Sequence, residues 1–135
     1  MPLSPPAQPG QSFAEIETPA LVLDLDAFER NLVAMAAFTQ AHGIRPRPHA
    51  KSHKSPEIAL RQIAHGAVGQ CCQKVGEAEV LVAGGVGDVL VTNEIVGAAK
   101  LDRLARLARS AKIGLCVDHP DGVREAAEAA ARNDV

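Results

Sequence analysis

The chain has 135 residues, 47% of them apolar and 22% charged, with a formal net charge of −2. That is enough for one domain with a sizeable core, and the near-neutral balance gives no basis for a nucleic-acid or anionic-membrane partner. No apolar run approaches the ~18 residues a membrane span needs, and residues 1–12 lack the basic start and apolar stretch of a secretory signal. Three cysteines, Cys71 and Cys72 adjacent and Cys116 alone, match no disulfide or zinc spacing. A reduced, cytoplasmic setting is therefore expected.

Residues 1–15 read as a disordered or extended lead, Pro-rich over its first 12 positions. Ala20 to Asp24 is a short apolar run expected as a strand, followed by Asp26 as a helix N-cap. Phe28, Leu32, Met35 and Ala36 then recur at helical spacing up to a stop at Gly43. From there a period sets in. Residues 44–50 are expected to be extended and 56–65 helical, with Ser55 as cap, Pro56 at the first position and Gly66 as the stop. Val68 to Cys72, Asp88 to Thr92 and Lys112 to Val117 follow as strands. Val75 to Ala83, Ala98 to Arg109 and Asp121 to Arg132 alternate with them as helices.

Four successive strand–helix pairs with short connections specify a parallel sheet with helices packed outside. A doubly wound sheet and a (β/α)₈ barrel both fit that alternation. Four units make half of such a barrel, so the expectation is an α/β fold, a partial TIM barrel of about four β/α units. With three Phe and no Tyr or Trp, its core must come from Ala, Val, Leu and Ile. An open half-barrel leaves strand edges exposed, so completion by further chain or by self-association is expected.

Both architectures gather their chemistry at the carboxyl ends of the strands. Those ends carry His49, Lys51 and His53, then Gln73, then Thr92, Asn93 and Glu94, then Asp118 and His119. If residues 45–53 are extended, Arg45, Arg47, His49, Lys51 and His53 share one face. Such a row attracts an anion such as phosphate, and neighbouring positive charge favours a neutral, nucleophilic lysine. The alternative is a solvated basic face. His49 and His53 as a metal pair would need a helix, which Pro46 and Pro48 oppose. Cys71 and Cys72 read as packing rather than nucleophiles. Gln73 and Asn93 either orient a ligand or satisfy loop backbone, and Glu77 and Asp102 read as solvated helix faces.

The run Thr18-Pro19-Ala20-Leu21-Val22-Leu23-Asp24 leading into Phe28-Glu29-Arg30-Asn31-Leu32 resembles the opening of the D-threonine aldolase family, which includes D-serine dehydratase-like and 3-hydroxy-D-aspartate aldolase enzymes. Its marker, Arg-Pro-His-x-Lys-x-His-Lys, stands here as Arg47-Pro48-His49-Ala50-Lys51-Ser52-His53-Lys54. Cys72-Gln73-Lys74-Val75-Gly76-Glu77-Ala78, Thr92-Asn93-Glu94-Ile95-Val96-Gly97 and Lys112-Ile113-Gly114-Leu115-Cys116-Val117-Asp118 also look like family segments.

The resemblance, from about Ile16 onward, implies an alanine-racemase-like barrel that binds pyridoxal 5′-phosphate (PLP). Lys51 would hold the cofactor as a Schiff base, with His49, His53, Gln73 and Asn93 around it. It implies a D-amino acid substrate with a β-hydroxyl, cleaved to glycine and an aldehyde, or dehydrated in related members. Residues 16–135 would form the N-terminal half of the barrel, the second half and a C-terminal β-domain being absent. The divalent metal of the full-length family would have its ligands in that absent part, so no metal ligand is assigned here and little aldolase activity is expected of these 135 residues alone. Two other readings stay open: a non-catalytic PLP-binding protein, and an unrelated α/β domain whose basic row binds a phosphate-containing ligand.

Overall fold

The computed structural model describes residues 7–135. They fall into two compact units, one up to Asn31 and one from Leu32 to Val135. The first six residues of the expected lead lie outside the described part. Within the lead, Phe13–Glu15 forms a single 3₁₀ turn, closed by the Ser12 amide donating to Glu15 Oε2 at 2.7 Å.

The strand expected at Ala20–Asp24 is not there. Leu21, Val22 and Leu23 are exposed and outside any strand, because an apolar run becomes a strand only where another strand meets its backbone. Helix α1 runs Leu25–Ala41. Asp24, not Asp26, caps it: its carboxylate accepts from the Ala27 amide at 2.9 Å.

The second unit alternates α2 (Pro56–Ala64), β1 (Gln70–Cys72), α3 (Val75–Ala83), β2 (Asp88–Glu94), α4 (Ala98–Leu107), β3 (Lys112–Cys116) and α5 (Pro120–Arg132). The helix starts follow their local chemistry. Ser55 Oγ accepts from the Ile58 amide at 3.3 Å ahead of Pro56, and the His119 ring accepts from the Asp121 amide at 3.2 Å ahead of Pro120. Glu77, expected on a solvated face, instead accepts from the Gln73 amide at 2.9 Å, and so satisfies a donor at the start of α3. Asp102 accepts from Arg132 at 2.9 Å and Asn133 at 3.1 Å, tying α4 to α5.

The three strands are parallel in the order β1-β2-β3, as a partial barrel requires. Residues 46–50 lie along the free edge of β1, where the Cys71 amide donates to Pro48 at 2.7 Å and the Ala50 amide donates to Cys71 at 2.8 Å. This fourth extended segment is reduced to one bridge, His49 to Cys71. Pro46 and Pro48 can accept from the neighbour but have no N–H to return.

Parity along the strands separates two faces. Gln70 and Cys72 pair with Val89 and Val91, and these in turn with Ile113 and Leu115; this side meets the helices. Cys72, Val89 and Val91 are fully buried there among Val75, Ala78, Leu81, Leu101 and Leu104. Burying a valine in this way contributes about 2 kcal/mol. Gly84 lets α3 approach α2, since a Cβ there would overlap the Pro56 ring. The other face, which would line a barrel, carries Cys71, Leu90 and Gly114 in its middle row.

Candidate functional site

The inner face is polar at both ends, and its rows follow from register. Arg47, Gly69, Asp88 and Lys112 lie side by side at the amino end. Arg47 Nη1 bonds Asp88 Oδ1 at 2.8 Å, and Lys112 Nζ lies 3.3 Å from Oδ2. Gly69 makes this reach feasible, because a Cβ at that position would overlap the Asp88 carbonyl and come within 2.5 Å of Arg47 Nη1. The hydrogen bond from Arg47, aided by Lys112, holds the Asp88 carboxyl below its usual range. Arg47 is therefore committed to a structural pair and does not belong to an anion-attracting row.

The row also ends earlier than an extended segment would allow. After His49 the chain turns, with the Lys54 amide donating to the Ala50 carbonyl at 2.8 Å, so Lys51 and His53 leave the strand direction. Lys51 is exposed and, among the described residues, its ammonium makes no hydrogen bond or ion pair. Lys54 differs: it sits 4.0 Å from Glu77 with a left-handed φ of 52°.

His49 Nε2 lies 3.0 Å from Thr92 Oγ1, and Nδ1 accepts from the Lys51 amide at 3.2 Å. Thr92 Oγ1 in turn donates to the Cys72 carbonyl at 3.2 Å. His53 repeats half of this arrangement. Its Nδ1 accepts from the Ser55 amide at 3.1 Å, but its buried Nε2 has no partner among the described residues. Burial lowers the His53 pKa against the opposing effect of that backbone bond.

Gln73 and Asn93 come together elsewhere. They line a cleft of about 570 Å³ at the amino ends of α3 and α4, with Lys54, Lys74, Lys100 and Arg103 around it. The structure thus brings His49 and Lys51 together on one turn, and Gln73 and Asn93 together in one cleft. Thr92, rather than its neighbour Asn93, faces His49. Asp88, Lys112 and Gly69 went unread in the sequence, although strand register would have put all three beside Arg47. Cys71 and Cys72 are buried, and burial raises both thiols, Cys72 to about 12, so neither is poised as a nucleophile.

The alanine racemase N-terminal domain model matches residues 23–135. The chain is 55% identical over 127 residues to the D-threonine aldolase of an Arthrobacter species, covering 94% of this chain and 34% of that protein. It is 48% identical over 130 residues to the 3-hydroxy-D-aspartate aldolase of Paracoccus denitrificans, covering 95% of this chain and 34% of that protein. Among solved structures, the D-threonine aldolase of Filomicrobium marinum superposes with a TM-score of 0.95 at 53% identity, over 98% of this chain and 36% of that one. The resemblance read from the marker around Lys51 is thereby borne out. The chain spans about a third of the length of these relatives. It belongs to the alanine racemase N-terminal domain family.

Proposed function

We propose that Lys51 carries pyridoxal phosphate in a lyase acting on D-β-hydroxy-α-amino acids, which cleaves a D-threonine-like substrate to glycine and an aldehyde. One observation carries this reading: an exposed lysine, unpaired among the described residues, on the turn that leaves the sheet at its carboxyl end. An amine that forms an imine must be reachable and free of an ion pair. Lys51 meets both conditions, whereas Lys54 is drawn towards Glu77. The cofactor, when bound, supplies an electron sink for the charge left on Cα as the bond to Cβ breaks.

This chain's own residues then divide the remaining work. His49 and His53 sit on the segment that bears Lys51, and Gln73 and Asn93 lie at neighbouring strand ends, where amides can orient a bound molecule. The divalent metal that the resemblance implies is not assigned to any residue of this chain. The D-amino acid substrate belongs to the same proposal. So does self-association through the sheet edges, since β3 has no strand on its far side among the described residues. A reduced, cytoplasmic setting is in keeping with three free cysteines, and no described helix is long and apolar enough to cross a membrane.

The test is a titration with pyridoxal phosphate followed by near-ultraviolet absorption, which the absence of Tyr and Trp leaves uncluttered. Saturable capture by the unsubstituted chain, lost in Lys51→Arg, is the expected result, because arginine keeps the charge but forms no imine. Equal capture by the variant overturns the proposal. Product analysis separates cleavage, which releases glycine, from elimination of water, which releases ammonia and an oxo acid.

A further inference from the structure

The hydrogen bonds around the Lys51 turn have directions that can be fixed one atom at a time. The Lys51 peptide nitrogen can only donate, so His49 Nδ1, 3.2 Å away, must be unprotonated. A neutral imidazole then carries its proton on Nε2. That proton points to Thr92 Oγ1 at 3.0 Å. Having accepted there, the hydroxyl is free to donate its own proton to the Cys72 carbonyl at 3.2 Å. Each group fills one role and none competes. The chain of bonds starts at the Lys51 backbone, passes through the ring, and ends on the carbonyl of the last residue of β1.

We infer that His49 is a positioning residue: locked by Thr92 as the Nε2–H tautomer, it grips the Lys51 backbone and fixes where the lysine side chain leaves the sheet. The consequence for a cofactor rests on the reading of Lys51 given above; the tautomer and the grip do not. Both ring nitrogens are occupied by the protein itself, so His49 acts through Lys51 rather than by touching a ligand. His53 shows what the lock adds. It makes the same contact to a backbone amide two residues on, at 3.1 Å, yet its Nε2 has no partner among the described residues. The Thr92 side chain has the geometry this role needs. It stands on the inner face, while Asn93, of the opposite parity, lines the helix-side cleft.

The test is long-range ¹⁵N NMR of the His49 ring in the whole chain without cofactor, together with hydrogen exchange at the Lys51 amide. The expected result is a single Nε2–H tautomer. Thr92→Val should mix the tautomers and speed exchange at Lys51 roughly five- to tenfold, and Thr92→Ser should restore both. His49→Asn, whose amide oxygen can stand in for Nδ1, should keep the Lys51 amide protected, whereas His49→Ala should not. This pair reads the grip if Thr92→Val fails to fold. An Nδ1–H or mixed tautomer in the unsubstituted chain overturns the inference. So does Lys51 protection that ignores Thr92→Val, or that is the same in His49→Asn and His49→Ala. A cofactor arm separates the two claims: borohydride trapping should shift from Lys51 toward Lys54 at least threefold in Thr92→Val. Absence of Lys51 trapping in the unsubstituted chain would sink the functional proposal while leaving the tautomer result standing.

Discussion

The two faces of one sheet carry opposite chemistry, although they are written in alternate residues of the same strands. In β2, Val89 and Val91 are 0% exposed against the helices, while Asp88, Leu90 and Thr92 project from the other side. The helix side is closed and mostly aliphatic, with Gln70 as its buried polar member. The inner side holds an ion-paired row at its amino end and a hydrogen-bonded histidine at its carboxyl end. The apolar core is concentrated on the helix face, and the turn bearing Lys51 leaves from the carboxyl end of the inner one.

The largest expected effect comes from placing one charge on each face. Val89→Asp buries an unpaired carboxylate and should cost about 4 kcal/mol or unfold the chain outright. Leu90→Asp, one residue along, should cost about 1–2 kcal/mol less than that, because Leu90 is only half-buried. Denaturant unfolding reads both, and equal costs would erase the distinction between the faces.

Next is Gly69→Val. It drives a side chain into the Asp88 carbonyl and the Arg47 guanidinium and should cost about 2–3 kcal/mol in the same assay. A neutral result would mean the amino-end row is not held as described.

Asp88→Asn should be milder, about 1 kcal/mol, because the pair is partly solvated. It also has a pH signature. The native carboxyl titrates below its ordinary value of 3.8, first through the Arg47 hydrogen bond. The unfolded chain therefore binds more protons in that range. The stabilisation is full above the unfolded value and is lost as pH falls through the lower native one. Asp88→Asn should flatten the acid limb of a stability–pH curve, and an unchanged limb would contradict the pairing.

The smallest effect belongs to His53. Burial lowers its pKa from 6.5, so the unfolded chain gains the proton first and stability should decline as pH drops below about 6.5. His53→Gln should remove that shallow slope, of the order of a few tenths of a kcal/mol. A slope that survives the substitution would trace to another group.

Helix limits were legible wherever a cap or stop is local. Ser55-Pro56 and Gly84-Gly85 name their helix ends in consecutive residues, and alternating patterns placed three of the strands. What the sequence concealed was long-range. Leu21 to Leu23 has strand composition but no strand partner among the described residues. The period-2 reading of residues 45–53 was right as far as His49, then failed at a turn closed by the Lys54 amide. Arg47 looked like one member of a basic row because its partner, Asp88, lies 41 residues away. Thr92, named in the sequence only as a strand-end residue, meets His49, while Asn93 lines the cleft with Gln73, because one position in a strand reverses the face.

The central claim is that Lys51 is the chemically distinct lysine of this chain. The direct measurement is to add pyridoxal phosphate, reduce with borohydride and map the modified lysines by mass spectrometry. The account predicts one adduct per chain, on Lys51, with Lys54, Lys74, Lys100 and Lys112 left largely unmodified. Labelling spread evenly over these lysines would contradict it.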